Sequence, residues 1–273
     1  MNTIKQCLHR LKSYLAVLRG SLQVGMVYRL GFIFTIIGNI IYMAVAYFLW
    51  HSIYGQSQTM HGLTFDQAFI YVALGSTVFI LLKTYSEWDI SREINDGRIA
   101  SYLTKPVDYQ LYKLFDSLGF TLTNLGTITI PTALLMAFVF KVHFDLGPGL
   151  LLFPLSLVMA FLISYNFDYL IGLTAFYTES TWGMSMTKEI IVTVLAGALL
   201  PLQFFPEAIQ KVLLWLPFQT IYYTPLMMVT KPDQSWGALL SMLAVQLGWA
   251  VAIFLLTRLF YSRAIKVLRV SGG

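Results

Sequence analysis

Asp168 is the ionisable residue whose position most needs explaining, because it lies in the run Tyr165-Asn166-Phe167-Asp168-Tyr169 inside a long apolar stretch. A charge at bilayer depth costs about 2.5–3.5 kcal/mol on insertion scales, so this carboxylate should face protein or water. Two readings follow. Asp168 is a proton or cation site on a translocation path, or it sits near the inner end of its span, hydrated or held by a neighbouring helix. Other chemistries have little to build on. No GxxxxGK[ST] phosphate loop occurs, so ATP is not bound that way. His9, His51, His61 and His143 are scattered, with no HExxH pair among them. The single cysteine, Cys7, excludes an internal disulfide and a cysteine metal cluster. Ser180 and Ser185 lie in no nucleophile-elbow pattern, and no intramembrane dyad accompanies them.

The second concentration of chemistry is electrostatic. Residues 86–116 read SEWDISREINDGRIASYLTKPVDYQLYKLFD and separate two apolar spans, so they form a loop on one membrane face. The segment carries Glu87, Asp89, Arg92, Glu93, Asp96, Arg98, Lys105, Asp108, Lys113 and Asp116, with Lys83 just before it. Trp88, Ile90, Ile94, Ile99 and Leu103 fall close to helical spacing between these charges, which predicts an amphipathic helix over 87–103. Pro106 cannot continue a helix and disfavours helical geometry at Lys105, so the chain turns there. Leu111, Tyr112, Leu114 and Phe115 then start an apolar face leading back into the membrane. Such a helix either covers the bundle at the interface or docks a soluble partner.

The elements that position these residues are membrane spans. Of 273 residues, 57% are hydrophobic and 11% charged, with a mean hydropathy of +0.69; soluble domains carry about a quarter charged residues. Six apolar segments of near-crossing length are expected at 30–50, 65–82, 118–140, 150–176, 188–202 and 236–257. The second is short with Asp66 at its edge, and Pro201 interrupts the fifth. Ahead of them, Ile4, Leu8, Leu11, Leu15, Leu18 and Leu22 recur at helical spacing among Lys5, Arg10, Lys12 and Arg19. Residues 1–29 therefore read as an amphipathic helix lying in the interface. A cleavable signal peptide fits poorly, because the basic region is long and no small-residue site follows the first span.

Placing both termini inside puts 15 of the 18 lysines and arginines on that side and leaves Lys141, Lys211 and Lys231 outside. The positive-inside rule then fixes an even number of spans. Residues 199–231 are too apolar for a solvated loop and too broken by Pro201, Pro206, Pro217 and Pro225 for one crossing. Pro206-Glu207 suits a helix start, and Pro217 a stop, with Ile209, Val212, Leu213 and Leu216 on one face. This predicts a short re-entrant or interfacial helix on the outer side, tolerated where protein or a cavity surrounds it. Gly119 and Gly126 share a helix face on which helices can approach closely. Trp50, Tyr54, Trp182, Trp215, Tyr222, Tyr223 and Trp236 near span ends read as an interfacial belt.

Three features together carry a resemblance: the basic amphipathic N-terminus, the run Gly97-Arg98-Ile99-Ala100-Ser101-Tyr102-Leu103-Thr104-Lys105-Pro106-Val107 followed by Tyr112, and the proline-punctuated segment before the last span. The layout resembles the membrane subunits of ABC-2 type transporters, the half-size permeases of exporters that lack a fused ATPase. The resemblance implies an all-α membrane protein of six transmembrane helices in one domain over 1–273. Within it lie the interfacial helix 1–29, a cytoplasmic coupling loop 84–117 and an outer re-entrant segment 200–231. It further implies a second permease (identical or a paralogue), and cytoplasmic ATPase subunits that bind ATP and magnesium in place of this chain. The setting would be a bacterial-type inner (plasma) membrane, with cytoplasmic termini and no nucleic-acid or metal partner.

In that picture Glu87, Asp89, Arg92, Glu93, Asp96, Gly97, Arg98, Lys105 and Pro106 form the ATPase-coupling surface, with residues 178–188 as a smaller contact. Asp168, Pro201, Phe204, Phe205 and Pro206 mark the translocation path or gate. The cargo would be amphipathic or hydrophobic, because the spans hold few charges. Two other classes compete: an ion-gradient carrier or channel using Asp168, and a non-transporting assembly subunit.

Overall fold

A computed structural model describes residues 2–27, 29–140 and 147–267, with side chains from Arg10 onward. Lys5, Cys7, His9, Lys141, His143 and Arg269 lie outside the described side chains. In chain order the helices are α1 (Asn2–Gly25), α2 (Arg29–Tyr54), α3 (Phe65–Leu82), α4 (Ser86–Asn95), α5 (Ile99–Leu103) and α6 (Tyr109–Asn124). They continue as α7 (Ile130–Phe140), α8 (Gly149–Leu173), α9 (Trp182–Leu195), α10 (Glu207–Trp215), α11 (Tyr223–Thr230) and α12 (Trp236–Ala264). The strands β1 (Thr59–Met60) and β2 (Leu63–Thr64) form one small antiparallel hairpin between α2 and α3.

Among the described residues, five helical stretches are long and apolar enough to cross a membrane: Arg29–Tyr54, Phe65–Asn95, Tyr109–Phe140, Gly149–Phe176 and Trp236–Val267. The expected crossing at 188–202 takes another form. Its helix, α9, begins at Trp182, runs 14 residues and stops at Leu195. Gly197 then turns the chain with φ +74°, a conformation glycine adopts without steric cost. The third stretch is also irregular, since Leu125–Thr129 widen into a π-turn just ahead of Pro131. Proline lacks the N–H that would close the preceding turn and crowds the carbonyl four residues back, which accounts for the bulge. Gly126 lies within that bulge. A Cβ on Gly119 would sit 2.7 Å from the Leu18 carbonyl and from Ser21, whereas Gly126 faces nothing within 4 Å. Of these two, only Gly119 serves close packing, and it does so against α1.

Helix α8 is the hub, packing on α12, α4 and α11 and also touching α3, α6 and α9. Tyr165 and Tyr169 on α8 and Tyr71 on α3 are among the largest fully buried side chains of the core around it. Helix α1 lies along α6, burying Tyr14 while Leu11, Leu15 and Val24 stay exposed. Trp50, Tyr54 and Tyr222 are buried in the bundle, so of the expected aromatic belt Trp182, Trp215 and Trp236 remain on the surface.

The segment after Gly197 dips into the bundle and returns. Phe204 packs on Trp50 and His61 at the β-hairpin end. Helix α10 starts after Pro206 and ends before Pro217, where the prolines predict. The Pro217–Thr220 turn is deeper: Phe218 stacks on Phe167 at 5.4 Å, and the Thr220 carbonyl accepts from Gln246 Nε2 at 2.8 Å. Helix α11, nearly all buried, then climbs back until its Met228 backbone abuts Gly149, where a Cβ would come within 2.0 Å.

Candidate functional site

The polar segment between α3 and α6 folds as two helices rather than one. Helix α4 ends at Asn95, Gly97 takes φ +72°, and α5 restarts at Ile99. Helical spacing persists across the break, so periodicity alone could not reveal it. Ile90, Ile94 and Ile99 are buried beneath these helices while Trp88 and Leu103 are exposed. The entry to α4 is strained: Tyr85 holds φ +55°, a left-handed geometry costing of order 1–3 kcal/mol for such a residue. Neighbouring contacts hold it there. Lys83 Nζ lies 5.0 Å from the Tyr85 ring centre and 2.5 Å from Glu189 Oε1 on α9.

Three ionic clusters fasten this module to the bundle. In the first, Lys188 of α9 donates to Asp168 Oδ1 of α8 at 2.5 Å and to Glu87 Oε1 of α4 at 3.0 Å. Thr84 Oγ1 donates to Asp168 Oδ2 at 2.8 Å. All three charged side chains are largely buried, with 16% of Lys188 and 6% of each carboxylate exposed. The second cluster joins α4, α5 and α6. Glu93 takes hydrogen bonds from Lys113 Nζ at 2.7 Å, Tyr109 OH at 2.7 Å and Tyr102 OH at 3.2 Å. Burial, reinforced by the Glu93 carboxylate, pushes the Tyr102 phenol up, which keeps its hydroxyl a donor. In the third, Arg258 of α12 donates to Asp108 Oδ2 at 2.5 Å. The Asp108 side chain caps α6 through the Leu111 N–H, and its own backbone N–H donates to Tyr14 OH of α1.

The fit between α4 and α8 is close at Gly172. A Cβ there would stand 2.8 Å from Ile90 Cβ and 3.2 Å from Glu87 Cα. Glycine lets the helices meet near enough for Glu87 to reach Lys188. Beyond this contact, the loop after α8 is tied to α4 as well: Asn95 Nδ2 donates to the Glu179 carbonyl at 2.8 Å, and Thr181 Oγ1 to Ser91 Oγ at 2.9 Å.

The residues expected to form the coupling surface therefore divide. Asp89, Arg92, Asp96, Gly97, Arg98, Lys105 and Pro106 are exposed. Glu87 and Glu93 are buried, 5% and 8% exposed, and spent on internal ion pairs, so they hold the module instead of presenting it. With the 179–182 loop, the exposed face of α4 frames a shallow groove of about 330 Å³ flanked by Trp88 and Trp182. Among the residues expected on a path, Asp168 belongs to the first ionic cluster. Pro201 is buried, Phe204 and Phe205 half-buried and Pro206 exposed at the opposite end of the bundle, so the structure does not bring these four together with Asp168.

Sequence reasoning missed Lys188 as a partner for Asp168. Its signal was present: it is the one lysine in an otherwise apolar, helix-forming stretch. Two neutral networks were also missed. Gln110, Asn166 and Thr257 join α6, α8 and α12, while Ser156, Gln246 and Thr220 join α8, α12 and the re-entrant turn. Among the described residues no cluster of three or more His, Cys, Asp or Glu could hold a metal ion; the rings of His51 and His61 pack on Phe65 and Phe204.

No curated protein matches the chain significantly. The profile of the ABC-2 family transporter proteins matches residues 40–272, most of the chain, including all three ionic clusters. The chain belongs to the ABC-2 family transporter proteins.

Proposed function

We propose that the chain is the permease subunit of an ATP-driven exporter, moving an amphipathic or hydrophobic compound out of the cytoplasm or the inner leaflet. A separate cytoplasmic ABC ATPase hydrolyses the ATP, and a second permease completes the path. The observation that carries this reading is the mounting of α4. One face, with the turn that follows it, presents Asp89, Arg92, Asp96 and Arg98 to solvent, and the other is bound by Glu87 and Glu93 to α9 and α6. Buried ion pairs that resist loss of either partner make a stiff joint. A push on α4 would then move α8, α9 and α6 together.

Both termini and α4 lie on the cytoplasmic side in this reading, with the basic residues. The groove between α4 and the 179–182 loop makes the two expected ATPase contacts one continuous surface. Asp168 acts in the joint, where it shares Lys188 with Glu87. The chain itself is not expected to be catalytic.

The test is a gentle-detergent pull-down of the tagged chain from its native membrane, with identification of partners and an ATPase assay. Co-purification of a P-loop ATPase in fixed ratio, lost when the whole 87–103 segment is altered, is the expected result. If no ATPase accompanies the chain while a control transporter stays assembled, the reading fails.

A further inference from the structure

A cavity of about 510 Å³ lies beneath α1, between it, the start of α4, and α6. Its walls combine three kinds of surface. Val17 and Val24 of α1 and Phe120 of α6 line an apolar side, and Val24 is exposed beyond it. Tyr85 and Tyr112 contribute phenol rings. Asp89 and Asp116 contribute carboxylates, the latter accepting a hydrogen bond from Ser21 of α1.

The charge around this space is unbalanced. Lys113 also lines it, but its ammonium is already paired with Glu93 at 2.7 Å. Asp89 pairs with Arg92, at 3.9 Å and on the exposed side of α4, and otherwise feels the positive charge only of the Lys113 ammonium that Glu93 already holds. Two carboxylates therefore face the cavity against a single lysine whose charge is shared with Glu93. Ser117 is 5% exposed and lines the same wall, yet its hydroxyl takes part in none of the side-chain hydrogen bonds among the described residues. Lining the cavity, that hydroxyl is open to a ligand atom, as donor or acceptor.

Carboxylates beside aromatic rings are the chemistry that recognises an organic ammonium group, through Coulomb attraction and the ring faces together. The apolar wall toward α1 would take a hydrocarbon tail. We infer that this cavity binds the ammonium head of an amphiphile, its tail leaving along Val17, Val24 and Phe120. The ammonium can come from an aminophospholipid headgroup or from a single-chain amine. The inference stands apart from the exporter reading, because it concerns binding and does not need an ATPase.

The experiment is a native mass-spectrometric titration of the full chain, purified in a neutral maltoside, with dodecylamine and dodecanol as probes. Dodecylamine should bind about tenfold more tightly than dodecanol, the value of a partly screened charge contact. Asp89→Asn should remove most of that preference while leaving dodecanol unchanged. Asp116→Asn can fail to fold, since Ser21 leans on it, so Gly20→Trp is the second variant. Gly20 lines the cavity, and a Cβ there meets nothing within 4 Å, so the indole should fill the space and block both probes. Competition by phosphatidylethanolamine but not phosphatidylglycerol would identify the ammonium as a lipid headgroup; amine binding without that competition would assign it to a single-chain amine. Equal binding of amine and alcohol, or an amine affinity untouched by both Asp89→Asn and Gly20→Trp, would overturn the inference.

Discussion

At the α4 end of the bundle, Glu87, Asp168 and Lys188 are buried together, and Glu93 and Lys113 form a second enclosed pair. At the β-hairpin end, by contrast, the buried polar contacts are neutral: Tyr71 OH donates to the Gly197 carbonyl at 2.7 Å, and Gln246 bridges Ser156 and Thr220. Aromatic edges complete that end, with Trp50, His61 and Phe204 in contact. The difference is in how each joint fails. A buried ion is nearly all-or-none, because losing its partner leaves an uncompensated charge in a medium of low polarity. Neutral hydrogen bonds and ring contacts degrade in steps of about 1 kcal/mol and can be remade elsewhere. The α4 end is therefore built to move as one piece, and the end with the re-entrant turn to adjust.

Lys188→Met should break this contrast most severely, costing about 3–5 kcal/mol by stranding Asp168 and Glu87. Thermal unfolding in detergent would measure it, and adding Asp168→Asn should restore part of the loss. A cost below about 1 kcal/mol would mean the joint is not ionic in effect. Gly172→Leu attacks the same joint through shape: it overpacks the contact between α4 and α8, at about 1–3 kcal/mol. Its signature should be easier proteolysis of the 86–103 region than in the unaltered chain.

At the other end, Gln246→Leu should cost less, about 1–2 kcal/mol, through the lost bonds to Ser156 and Thr220. Faster hydrogen exchange confined to the Pro217–Thr230 region would mark it, whereas global loosening would count against a separable end. The smallest change in stability belongs to the double variant Asp96→Ala with Arg98→Ala. This pair is 3.0 Å apart but about half exposed, so its removal should shift stability by roughly 0–1 kcal/mol. In a reconstituted complex the same variant should separate ATP hydrolysis from transport; normal cargo-stimulated turnover would refute the coupling role.

Much of the architecture was determined by sequence alone, because its causes are local. Apolar runs of crossing length specify membrane helices, and Pro206 and Pro217 bracket α10 because proline is tolerated at a helix start and not within it. Thr64 and Gln67 likewise spell the capping box that begins α3 beside Asp66. What only the tertiary structure decided are pairings between distant residues. Lys188 meets Glu87 across 101 positions, and Arg258 meets Asp108 across 150. No periodicity encodes such a choice, since it depends on α8 bringing α4, α9 and α12 to one place. The same reason explains why Glu87 and Glu93 looked like surface charges. On a helix of mixed charge, spacing tells which residues share a face, and only the neighbours packed against that face decide which charges are presented and which are locked.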